Sequence, residues 1–177
     1  MMPSIITFQG KIPRIHPTAF IAEGARIIGD VEIGPNSSIW FNCVLRGDVS
    51  SIRIGARTNI QDGTVIHVDS ATPGNPGGRP TIIGDDVLLG HMVMLHGSVL
   101  HDRAFVGLGS IVMDSTIESD GMLAAGALLS PGKTIGAGEL WIGRPAKKLR
   151  DLGPQEIAAN RIGATHYAEL AKVYAAA

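Results

Sequence analysis

With Cys43 as the only cysteine among 177 residues, the chain has no internal disulfide framework, which suits a reducing compartment. Aromatic residues are scarce at 5%, so the core cannot rest on large rings, although apolar residues make up 45%. Charge of one sign is also lacking. The formal net charge is −1 with no basic run, which argues against nucleic acid and anionic membrane as partners. No run of about 18 apolar residues exists to span a bilayer. The opening MMPSIITFQGKIPR has neither the basic n-region nor the long apolar h-region of a secretory leader. Together these absences point to a cytoplasmic protein with an aliphatic core.

What is present is a period of six. Ile15, Ile21, Ile27, Ile33, Ile39 and Leu45 follow one another at six-residue steps, and the pattern resumes at Ile54, Ile60 and Ile66. It returns at Ile83, Leu89 and Leu95, then at Leu100, Val106 and Val112, and ends with Ile117, Leu123, Leu129, Ile135 and Trp141. A helix (period 3.6) or a plain strand (period 2) does not produce this repeat. A stacked coil does, with one short strand per hexapeptide and the repeated apolar residue pointing inward. Three hexapeptides per turn make a triangular prism, so the expected fold is all-β, a parallel β-helix, and the resemblance to known hexapeptide-repeat proteins implies that it is left-handed. Its hand departs from the usual right-handed crossover. The 23 glycines fit the prism corners.

The repeat is continuous, so the chain reads as one coil with an appendage. Residues 1–150 form the β-helix unit and residues 151–177 a C-terminal α-helix packed on it. Two interruptions stand out. Residues 46–53 (RGDVSSIR) add three residues to the register, and residues 69–80 (DSATPGNPGGRP) form a loop too rich in Pro and Gly to continue a strand. Gly153-Pro154-Gln155-Glu156 reads as a helix start, with Pro at the first helical position. Ile157, Ala164, Tyr167, Ala171 and Tyr174 then lie near one face of that helix.

Three of the six histidines cluster around the loop as His67, His91 and His96. Taken alone this spacing says little; the register gives it meaning. His67 follows Ile66 and His96 follows Leu95, so both occupy the same outward slot of one prism face on neighbouring coils. Their separation is then about one inter-strand spacing of 4.8 Å, suited to two imidazoles sharing a metal at about 2.0–2.1 Å each. His91, two residues past Leu89, belongs to another face. A third ligand from another subunit completes the set, and such a heterologous contact closes most simply into a trimer. Arg46 stacks one coil before His67, while Asp62 takes the slot of His91 one coil earlier. Arg46 is thus expected to face Asp62 across the interface with Asp48 beside it, as an intersubunit lock. His16, His101 and His166 show no such convergence and are assigned to surface or packing roles. Cys43 takes an interior slot as a small core residue.

RGD at 46–48, NIQDGTVIH at 59–67, NPGG in the loop, IGDDVLLGH at 83–91 and MLHG at 94–97 resemble the gamma-class carbonic anhydrases. The likeness extends to the IGRPAK exit and the final helix. It implies a homotrimer with Zn²⁺ (or Fe²⁺ or Co²⁺) at each interface, held by His67 and His96 of one subunit and His91 of the next. It implies reversible hydration of CO₂ to bicarbonate by hydroxide generated on the metal. It also implies that Gln61 positions the reacting water, that Arg46, Asp48 and Asp62 form the intersubunit network, and that Tyr167 reaches the pocket. The chain departs from the family's most active archetype, which carries a glutamate directly after the RGD-type aspartate and another in the loop. Here Val49 takes the first place, and Asp69 is the only acid of the loop, making Asp69 and Tyr167 the candidate proton carriers. Two other functions share the coil: a hexapeptide acyltransferase using one histidine as general base, and a metal-stabilised trimer without carbonic anhydrase activity.

Overall fold

The computed structural model describes residues 2–176. The six-residue period becomes three columns of inward side chains. One column stacks Ile27, Leu45, Ile66, Leu95, Val112 and Leu129 through parallel ladders. A second runs through Ile15, Ile33, Ile54, Ile83, Leu100, Ile117 and Ile135. The third carries Ile21, Ile39, Ile60, Leu89, Val106, Leu123 and Trp141. Away from the ends these residues are fully buried, whereas Ile15, Ile21 and Trp141 are only partly covered. Each coil buries its apolar residues against the next one, so the core is a continuous column of aliphatic side chains.

Two long strands, Arg26–Ile33 and Val44–Ile54, bend around one prism edge and join two faces into a twelve-stranded sheet; the third face is an eight-stranded sheet. The extra residues at 46–53 lie within the second of these strands. Its ladder passes from the pair Gly29/Gly47 directly to Val31/Ile52, so residues 48–51 bulge out opposite Asp30. That bulge carries Asp48 to the outside of the coil.

The loop at 69–80 leaves the coil and is closed by antiparallel bridges between Asp69 and Arg79 and between Thr72 and Asn75. At the far end, Glu139–Gly143 turns back into an antiparallel strand, Ala146–Asp151. The helix spans Pro154–Ala175 with Gly153 as its N-cap, and the Gly153 N–H donates to Glu156 Oε2 at 2.9 Å. It lies on the eight-stranded face and buries Ala164 and Ala171. The scarce aromatics gather there: Trp40 meets Phe20, Tyr167 and Tyr174 with ring centroids 5.4, 5.6 and 5.2 Å apart. Arg161 ties the helix to the coil through Asp120 at 3.1 Å. Among the described residues no helix is long and apolar enough to cross a membrane.

Candidate metal centre

Strands Val65–His67 and Met94–His96 are neighbours in the ladder, and His67 pairs directly with His96. Both side chains are part-buried. His67 Nδ1 and His96 Nε2 lie 3.3 Å apart. Two ligands at about 2.0–2.1 Å from one tetrahedral ion are separated by ~3.4 Å, so this pair fits a common zinc without rearrangement. Two neutral imidazoles are also the donors that zinc, iron and cobalt accept.

The other nitrogen of each histidine is turned towards a carboxylate. His67 Nε2 lies 2.9 Å from Asp48 Oδ1. Asp48 also receives the Arg46 guanidinium, and its Oδ1 accepts the Val49 N–H at 3.0 Å. Burial alone would raise the Asp48 pKa, but the hydrogen bonds from His67 and Arg46 outweigh it and hold the group below the usual carboxylate range. Arg46 therefore has an ion-pair partner within its own chain. Asp62, expected opposite Arg46, pairs with His91 on the neighbouring coil, with Nδ1 to Oδ2 at 2.7 Å. His91 sits on the eight-stranded side, away from the His67/His96 slot, as the register requires.

His96 has two carboxylates. Its Nδ1 lies 3.7 Å from Asp69 Oδ1 and 3.8 Å from Asp114 Oδ1. The loop thus returns Asp69 to the histidine pair. Asp114 did not emerge from the sequence reading, although the register could have found it. Met113 pairs with His96, which places Asp114 just past the histidine slot on the next coil, and its N–H donates to His96 O at 2.9 Å. Donor atoms of Asp69, His96 and Asp114 all lie within 4.8 Å of one another, close enough to hold an ion.

The remaining candidates are distributed around this core. Gln61 is buried at 4% exposure, and its Nε2 donates to Asn59 Oδ1 at 3.1 Å. Tyr167 stacks edge-on against Trp40, and burial, reinforced by the charge of Asp62, pushes its phenol pKa up. Cys43 is wholly buried, its Sγ donates to Gln61 O at 3.1 Å, and burial pushes the thiol up to about 12. His16 is engaged by Thr18 at 2.9 Å, and His101 lies 3.7 Å from Glu118.

Comparison with known proteins places this arrangement in a family. The bacterial transferase hexapeptide (six repeats) pattern matches residues 13–47. The chain is 46% identical over 169 residues to gamma carbonic anhydrase 1, mitochondrial, of Arabidopsis thaliana, covering 94% of this chain and 60% of that protein. It thus spans about three fifths of the length of that plant relative. A carbonic anhydrase of Geobacillus kaustophilus is 42% identical over 154 residues, covering 86% of this chain and 81% of that one. The crystal structure of a hexapeptide transferase family protein from Anaplasma phagocytophilum has a TM-score of 0.91 at 47% identity, covering 98% and 99% of the two chains. Identity of this extent, together with the coil and its paired histidines, establishes that the chain belongs to the gamma-class carbonic anhydrase family of hexapeptide-repeat proteins.

Proposed function

We propose that this chain forms a homotrimer that hydrates CO₂ reversibly to bicarbonate at three metal centres between subunits. His67 and His96 of one subunit and His91 of the partner subunit hold the ion, with Zn²⁺ as the first choice and Fe²⁺ or Co²⁺ compatible with the same donors. The observation that carries this reading is the 3.3 Å approach of His67 Nδ1 and His96 Nε2 in one slot of adjacent coils. The carboxylate behind each of the three histidines supports it, because ligating imidazoles regularly donate their second N–H to such a partner. When bound, the metal supplies Lewis-acid activation of water, lowering its pKa towards about 7.

The chain's own residues do the rest. Asp48 fixes the His67 ring through Nε2 and leaves Nδ1 facing the site. Gln61, held by Asn59, orients the attacking water. Tyr167, with its pKa raised, acts as a hydrogen-bond donor and not as a base. Asp69 is 40% exposed and stands beside His96, so it takes the proton that leaves and passes it to solvent. An acyltransferase needs a single histidine base and gives no reason for three histidine–carboxylate pairs.

Metal content and CO₂ hydration, measured on one anaerobically purified and sized sample, test the proposal. One metal per subunit together with hydration activity is expected. Stoichiometric metal without hydration would move the function to a metal-stabilised trimer or another substrate. Absence of metal would overturn the centre and favour the acyltransferase.

A further inference from the structure

We infer that Asp69 and Asp114 act as positioning residues for His96, selecting the tautomer that presents Nε2 to the interfacial metal; this rests on the metal-centre reading above. The positions of the ring protons decide the tautomer. An ionised carboxylate only accepts hydrogen bonds, so His67 Nε2, 2.9 Å from Asp48 Oδ1, carries a hydrogen. The His67 lone pair is therefore on Nδ1, which faces His96 Nε2. For both facing nitrogens to ligate one ion, His96 must also keep Nε2 unprotonated, and its single hydrogen must sit on Nδ1. Asp69 and Asp114 stand at that atom.

Asp114 also needs this contact. Its Oδ1 is buried without a hydrogen-bond partner, and the donor facing it is His96 Nδ1 at 3.8 Å. A buried acceptor left unpaired is costly, and a small tilt of the ring satisfies it. Gly97 makes the approach feasible, since a Cβ there would come within 2.7 Å of Asp114 Oδ1 and 3.4 Å of Asp69 Oδ2. A second cation bound by Asp69, His96 and Asp114 is the competing use of this cluster. It would occupy Nδ1 while Nε2 serves the interfacial ion, which demands a fully deprotonated imidazole. The N–H donor role demands nothing of the kind. Because Asp69 begins the loop at 69–80, the loop becomes part of the metal site through His96.

The test is Zn²⁺ affinity of metal-free full-length protein, measured by chelator competition, for the wild type, Asp69→Ala, Asp114→Ala, Asp114→Asn and the Asp69→Ala/Asp114→Ala double variant. Loss of an orienting partner weakens affinity by on the order of 10–100-fold. That loss is expected in the double variant, with smaller losses in the single alanine variants. Asp114→Asn should recover most of the Asp114→Ala loss, because the amide oxygen still accepts the Nδ1 hydrogen. Imidazole ¹⁵N NMR of the zinc-loaded wild type should show His96 protonated at Nδ1, and this holds even if the double variant does not assemble. Unchanged affinity in a well-assembled double variant, or a second zinc per subunit lost in these variants, would overturn the inference. Failure of the interfacial reading looks different: zinc binding would survive His67→Ala, or would be absent from the wild type.

Discussion

Glu139 closes the coil at the level of one residue. Its carboxylate accepts Lys148 Nζ at 2.7 Å, Trp141 Nε1 at 2.8 Å and the Gly136 N–H at 2.9 Å. These three donors, led by Lys148, pull its pKa from 4.5 down to about 2. A depressed carboxylate stabilises the fold above its unfolded value, and that stability fades as pH falls through the folded one. Glu139→Gln should therefore cost about 1–2 kcal/mol at pH 7, after allowance for solvent screening of a surface group. The difference from wild type, followed by thermal melts of metal-free protein, should shrink steadily as pH drops from 4.5 towards 2. A difference that stays constant across that range would assign the effect to packing of the Trp141 ring instead.

At the scale of the element, the corner between the two joined faces depends on Gly29. Its φ is +75°, and a Cβ there would stand 2.5 Å from the Gly47 carbonyl oxygen on the next strand. Left-handed backbone costs a side-chain-bearing residue about 1–2 kcal/mol, and contact with a backbone oxygen adds to it because neither strand yields without disturbing the bulge after Gly47. Gly29→Ala should lower unfolding free energy by more than about 1 kcal/mol in denaturant titrations. It should also loosen Asp48, which the same bulge projects. This corner marks where the sequence became hard to read. The three columns of apolar residues were legible because a period of six has one structural solution. So was the helix start at Gly153-Pro154, since proline is preorganised there. The insertion at 46–53 registered only as a count of three residues, because nothing in RGDVSSIR says whether it forms a loop or stays within a continuous strand. Asp114 escaped for a related reason: its proposed role arises from standing next to His96 on another coil and not from any local motif, while Asp69, 27 positions before His96, was singled out as the acid of its loop and a candidate proton carrier, with no link to His96.

For the whole molecule, the proposed site draws on more than one chain. The register put His67 and His96 together and His91 on another face, and the chain folds in that way; which residues meet across an interface is a property of the assembly. Four large apolar side chains are exposed on the outer surface near these residues. Met92, Met94, Leu108 and Met113 are 69%, 42%, 52% and 39% exposed. Met92 adjoins His91, and Met113 pairs with His96 in the ladder. Apolar exposure beside candidate ligands is what a contact between copies would cover. A cyclic trimer in which one subunit supplies His67 and His96 and its neighbour supplies His91 makes a quantitative prediction. His67→Ala and His91→Ala proteins should each bind no zinc at the interface. When the two are unfolded together in equal amounts and reassembled, an interface is intact only where a His91→Ala subunit offers its His67 to a His67→Ala neighbour that retains His91. Random assembly yields this order at roughly one quarter of interfaces. Zinc content and CO₂ hydration of the mixture should recover to about that fraction of wild type, whereas ligands drawn from a single chain would give no recovery at any mixing ratio.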